Sequence, residues 1–413
     1  DFESLYSLLS NDYKIVVVEK FGYGFSDVVD ENRDIDTMLS ETRMALDKAG
    51  IKGPYVLCPH SMSGLEALYW AQKYPEEVEA IVGLDMAVPD YYYRMHDNGS
   101  FQDGSGCGNE MASEKEMYRK YMIDSLTYWA EEFGVDGFRF DLMGLHDVAT
   151  MNAIRSAMDD IDPRILLYGE GWDMGIGLPV DQKAKKDNAA LMPRIGFFND
   201  NARDAVKGSE VYGHISNGYV SGAPLEDQIA KSLLGSRGFV NYLMPGQVLN
   251  YIEAHDNYNL NDLMHHLHPH DSPEDIEKRI YLANALNLTM QGMCFMQLGQ
   301  EFQRSKMVAT GEDGNYTEAD VKRAMNSYNA PDAVNQVDWN QVTLKKDLVA
   351  KVAKLIERKQ TVPELSYRSY ADIYDNLYVA KAEYDSGIVE LHISGKLRKT
   401  FVFNNMKKDL EIY

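Results

Sequence analysis

Three acidic residues constrain the fold of this chain more than any other feature, because each closes a different β-rich run. Asp141 ends "VDGFRFD", Glu170 ends "RILLYGE" and Asp256 ends "LNYIEAHD". Between these runs lie stretches with helical spacing. Strand then helix, repeated, implies a parallel sheet, either open and doubly wound or closed into a barrel. Charge gathered at several strand ends favours the barrel, since a (β/α)8 barrel builds its site there. Within residues 136–141, alternation puts Phe138 and Phe140 on one face and Gly137, Arg139 and Asp141 on the other. A buried unpaired charge is costly, so the ionic face must be paired or must open onto a cleft.

The alternation begins early. "YKIVVVEK" (13–20) reads as a strand, 35–49 as a helix, "PYVLCP" (54–59) as a strand, 62–74 as a helix and "AIVGLD" (80–85) as a strand. After a Gly/Asn/Ser-rich loop (97–110), a long amphipathic helix is expected over 112–133, with Ser113 and Glu116 as a capping box. Further strands are expected at "RIGFFND" (194–200) and "MCFMQLG" (293–299). From about residue 365 the Tyr- and Val-rich alternation of "NLYVAKAEY", "GIVELHIS" and "TFVFNN" predicts a small antiparallel sheet.

Composition narrows the partners. A net charge of -23 opposes nucleic acid and anionic membranes, which are bound through basic patches. Cys58, Cys107 and Cys294 are too few and too odd for a disulfide framework, which points to a reducing, cytoplasmic setting. No apolar run approaches the roughly 18 residues of a membrane span, and the opening "DFESLYSLL" has no basic signal-peptide region. A start without Met points to a missing upstream part. "HHLHPH" (265–270) reads as a surface loop rather than a metal site, since its ligands would have to converge from one short stretch. No Gly-rich phosphate loop occurs, and no cofactor or metal is expected.

The carboxylates suggest acetal hydrolysis, in which one acid protonates the leaving oxygen while the other attacks or stabilises the cationic sugar. Arg139, two residues before Asp141, would hold that aspartate ionised; Glu170, beside Trp172 in "GEGWD", would have its pKa raised to that of a general acid. Asp256, next to His255, would hydrogen-bond sugar hydroxyls. Any one of these carboxylates alone reads better as a solvated loop residue, and it is three at matching strand ends, with an Arg two before one of them, that favour a sugar site; Trp172 reads equally as core.

"DGFRFDLMG", "GEGWD" and "EAHDN", in that order, resemble conserved regions of the alpha-amylase family of retaining glycoside hydrolases. "GSGCGNEMASE", "IGFFNDNARDAVKG" and "NSYNAPDAVNQVDW" resemble its debranching branch, the type I pullulanases, from about residue 88 to the C-terminus. The resemblance implies Asp141 as nucleophile, Glu170 as acid/base and Asp256 as transition-state stabiliser. It also implies Arg139 and His255 at the cleaved sugar, Asn329 and Asp332 further along an α-glucan such as pullulan, starch or glycogen, and hydrolysis of α-1,6 bonds.

Residues 1–90 differ. "YVLCPHSMSGLEALYW" resembles the nucleophile elbow of an α/β-hydrolase, with Ser61 at the turn, although Pro59 and Ser63 stand where glycines are expected. The triad's acid and His do not follow before the texture changes, so Ser61 is expected to be inert. The pullulanase-like part lacks the first barrel strands, which would impair activity. The expected architecture is therefore an incomplete or hybrid (β/α)8 barrel, five family strands plus three from the hydrolase-like segment. Its parts are 1–90, 91–360 and a truncated β-sheet domain at 361–413, with a seam at "VPDYY" (88–92). The rival readings are a serine esterase using Ser61 and an inactive chimeric fusion.

Overall fold

The structure, a computed structural model, describes residues 6, 9, 13–30, 32–84, 91–210, 213–311, 314–395 and 397–413. Most of the "VPDYY" seam lies outside the described residues. The chain divides into two compact units, Asp1–Gly99 and Ser100–Tyr413.

In the first unit, β1 (Tyr55–Leu57) and β2 (Val78–Ile81) pair in parallel across the helix Ser63–Lys73. The helix Ile35–Lys48 starts where the Asp34 side chain accepts from the Thr37 amide at 2.8 Å, satisfying a donor that the first turn leaves free. Leu39, Leu46 and Trp70 form the small core, with the Tyr55 ring 5.4 Å from that of Trp70. The Glu77 carboxylate accepts from Arg43 Nε at 2.9 Å and Trp70 Nε1 at 2.8 Å. The strand expected over 13–20 is not there. Residues 14–20 pair with no strand, and Val16 and Val17 lie exposed. A β-branched run has strand propensity, but only a partner ladder makes it a strand.

In the second unit, β3 (Gly137–Phe140), β4 (Leu166–Gly169), β5 (Gly196–Phe198), β6 (Val248–Asn250) and β7 (Met293–Cys294) form one parallel sheet in chain order. The connections are long enough for the crossovers that parallel pairing requires, with α-helices in all but the one from β4 to β5, which holds a 3-10 segment at Lys186–Leu191. One side of the sheet presents Leu167, Phe197 and Val248 to a core that includes Met151, Ile154 and Met158. The other carries Phe198 and Leu249, packed with Tyr251, Tyr168, Trp172, Met293 and Phe295. An eight-stranded hybrid closure is not formed among the described residues, since β1 and β2 make a two-stranded sheet of their own. Likewise β7 is a strand for two residues, not the seven expected, and among the described residues it pairs with β6 alone.

The long helix runs Glu116–Phe133 and ends at Gly134 in the left-handed conformation. Ser113 does not cap it. The Ser113 hydroxyl instead meets Asp147 Oδ2 at 2.7 Å, and Asp147 caps the next helix, Val148–Ile161, through the Thr150 amide. A tertiary partner has won over a local one.

β8 (Leu377–Lys381), β9 (Ile388–Ile393), β10 (Lys399–Asn404) and β11 (Asp409–Ile412) form the expected antiparallel sheet, in the order β11-β10-β9-β8. Along β9 buried and half-buried residues alternate, as one covered face requires. Its inner residues Val389, Leu391 and Ile393, with Phe401 and Phe403 of β10, belong to the same core as the parallel sheet. Tyr219 fastens the join, its hydroxyl 2.9 Å from the carbonyl oxygens of both Gly387 and Phe403. No helix among the described residues is long and apolar enough to cross a membrane.

Candidate active site

Asp141 follows β3 directly and Glu170 follows β4 directly, so adjacent parallel strands deliver the two carboxylates side by side. One guanidinium spans them. Arg139 Nη1 lies 2.9 Å from Asp141 Oδ1, and Nη2 lies 2.9 Å from Glu170 Oε1. The second contact carries no signal in the sequence, because spacing along one strand says nothing about its neighbour. The Arg139 side chain rests 5.8 Å from the Phe198 ring, which gives its ionic face an aromatic floor.

The two acids have different surroundings. The Asp141 side chain is 71% exposed and that of Glu170 is 10% exposed. Burial raises the pKa of Glu170 above the usual carboxylate range, and the charges of Asp141 and Asp256 add to the rise. The Leu142 amide, donating to Glu170 Oε2 at 2.8 Å, and the Arg139 cation oppose it. Leu142 is left-handed, with φ of 41°, a conformation that costs a branched side chain roughly 1–3 kcal/mol. That strain turns its N–H onto Glu170. Gly144 completes the turn, because a Cβ there would collide with the Trp172 carbonyl oxygen. The strings "DLMG" and "GEGWD" are thus interlocked.

Asp256 arrives by another route. β6 ends at Asn250, six positions earlier than the expected strand, and an irregular loop carries the chain to His255 and Asp256. Both are exposed, with His255 Nε2 at 3.5 Å from Asp256 Oδ2. The Asp256 backbone pairs with Asn326 in an isolated antiparallel bridge. Asn329 and Asp332 come shortly after that bridge, on an exposed turn closed by the Asn335 side chain on the Ser327 carbonyl at 2.7 Å. Among the described residues neither one hydrogen-bonds to the acidic cluster. Trp172 is half-buried against Phe198, Leu249 and Tyr251. The charges of Arg139, Asp141 and Asp256 all act on Glu170.

A cavity of about 390 Å³ lined by Asn261, His265, Phe302, Arg304 and Asp338 takes in none of these residues. His265 and His266 lie within the helix Leu260–Leu267 rather than in a loop, with the His266 ring stacked on Tyr258.

Ser61 is left-handed, with φ of 52°, at the turn between β1 and the helix Ser63–Lys73, as a nucleophile elbow requires. No hydrogen bond to its hydroxyl is found among the described residues.

The second unit thus joins a parallel sheet with carboxylates at its strand ends and an antiparallel sheet in one core, and known proteins resemble it. No family model matches the chain. The pullulanase of Bacillus subtilis (strain 168) is 36% identical over 298 residues, 71% of this chain and 39% of the relative. The crystal structure of pullulanase type I from the same strain, complexed with maltose, superposes with a TM-score of 0.70 at 31% identity, covering 90% of this chain and 49% of that one. The chain is thus type I pullulanase-like and spans less than half the length of either relative. A third relative is of another kind: the uncharacterized protein YbdG of Bacillus subtilis (strain 168) is 53% identical over 92 residues, 22% of this chain and 28% of the relative.

Proposed function

We propose that this chain carries the site of an α-1,6-glucan debranching hydrolase that works by double displacement. In this reading Asp141 attacks the anomeric carbon, Glu170 protonates the leaving oxygen and then activates water, and Asp256 binds sugar hydroxyls as the ring flattens. The observation that carries it is the shared guanidinium. A single Arg139 contacting both carboxylates supports the separation of about 5 Å that retention needs, rather than the wider gap of inversion. The division of labour follows from environment: Asp141 is open to solvent, while the buried Glu170 holds its proton to higher pH.

His255 and Arg139 would touch the sugar in the cleaved subsite, Trp172 would border it, and Asn329 and Asp332 would meet the glucan further out. The maltose complex of the Bacillus subtilis pullulanase supports an α-glucan as the ligand class. β3 to β7 would correspond to five consecutive strands of a (β/α)8 barrel, within parts bounded at 1–90, 91–360 and 361–413. A 92-residue match to one protein beside a 298-residue match to another supports a junction of two ancestries.

The test is release of reducing ends from pullulan by the full chain and by Asp141→Asn and Ser61→Ala variants. Activity that is lost with Asp141→Asn and kept with Ser61→Ala is expected. The opposite pattern overturns the reading, and a chain inert in every form would leave a glucan-binding remnant.

A further inference from the structure

The loop that carries Asp256 is fixed from below by a single buried cation. Lys306 is 1% exposed. Its ammonium donates to the carbonyl oxygen of His255 at 3.0 Å and to that of Asn257 at 2.5 Å, the two residues flanking Asp256. Asn257 is left-handed, with φ of 62°, which helps turn both carbonyls to the same side. With those carbonyls drawn inward, the Asp256 side chain is left 57% exposed. The anchor is itself anchored. The Lys306 amide donates to Asp262 Oδ2 at 2.8 Å on the helix Leu260–Leu267, and Glu253 Oε2 accepts the Leu260 amide at 2.5 Å at the start of that helix. Asp262, Glu253 and Glu210 offset the ammonium charge, while Lys207, paired with Glu210, opposes it.

Burying an ammonium is costly unless its donors and charge are met, so the arrangement persists only if the partners are held together. From this geometry we propose that Lys306 is the positioning residue for Asp256, orienting that carboxylate toward the sugar without touching substrate. The proposal rests on the debranching reading for its functional meaning, but the tether can be tested without it. A misplacement of about 1 Å at a reacting group costs on the order of a hundredfold in rate, so a tether of this kind controls turnover from a distance.

The experiment is backbone amide hydrogen exchange on the full chain, comparing the parent with Lys306→Met and Lys306→Arg. The Met variant keeps the side-chain bulk and removes the donors; the Arg variant keeps a cation with donors. Exchange across 253–259 is expected to rise about tenfold in Lys306→Met, with 137–142 and 166–170 unchanged and protection largely restored in Lys306→Arg. Unchanged exchange at 253–259, an equal rise everywhere, or a Met variant that does not fold while the Arg variant folds without protecting the loop would overturn the proposal. In parallel, maltotriose affinity should fall in Lys306→Met, and the fall should vanish in an Asp256→Asn background. A fall of the same size in both backgrounds also counts against the tether. If the parent binds no maltotriose, the debranching reading fails by itself and the exchange result alone decides the role of Lys306.

Discussion

Ser61 and Leu142 make an instructive pair. Each is a non-glycine residue in the left-handed region between a parallel strand and the helical turn that follows it, one in each unit. Around Leu142 the strain is matched by contacts within the candidate site: its N–H meets Glu170, which meets Arg139, which meets Asp141. Around Ser61 the backbone has the shape of an elbow, but no hydrogen bond to its hydroxyl is found among the described residues. A strained backbone therefore marks where a reactive group would stand, and the side chains converging on it decide whether chemistry follows.

That contrast can be broken in several ways. The largest expected effect is on catalysis: Asp141→Asn should lower release of reducing ends from pullulan by about a thousandfold or more, as loss of a nucleophile does. Next, Leu39→Ala should cost the first unit about 3 kcal/mol, because that core rests on the buried side chains of Leu39, Leu46 and Trp70 and truncation leaves a cavity. Fluorescence of Trp70, the sole tryptophan before residue 100, should report unfolding at lower urea. Gly144→Ala should destabilise the second unit by about 2 kcal/mol through collision with the Trp172 carbonyl, measured by far-ultraviolet circular dichroism in urea.

A pH effect is smaller and has a defined sign. Burial raises Glu253 to about 7, so the folded chain holds this proton more tightly than the unfolded chain does. Its contribution is full below the ordinary glutamate range and is lost as pH rises to about 7, at about 1.4 kcal/mol per pH unit. Unfolding of Glu253→Gln across that window should lack this slope. The smallest effect belongs to Ser61→Ala, which should leave pullulan hydrolysis unchanged; a loss there would dissolve the distinction between the two turns.

Much of this was legible in the sequence where signals were local. β3 and β4 were readable because each is a short β-rich run closed by a charge, and the C-terminal sheet because its alternation has a period of two. The segment 13–20 misled for the converse reason: its composition is that of a strand, but a strand also needs a neighbour, and composition does not supply one. Ser113 had the spacing of a cap, yet its hydroxyl serves Asp147, 34 positions away. Lys306 gave no signal at all. The carbonyls it binds are 49 and 51 positions upstream, and no spacing rule links a lysine to backbone oxygen at that range. Arg139 was half read, its bond to Asp141 being visible along one strand and its bond to Glu170 only once two strands lie together.

Tyr219 has a consequence for anyone who would shorten this polypeptide. Because its phenol is shared between the turn before β9 and the strand β10, and because Leu391 and Phe403 fill the same interior as Phe197, trimming the tail would not release a detachable module. It would open the interior of the remainder to solvent, and deletion variants ending before β8 should accumulate as insoluble material.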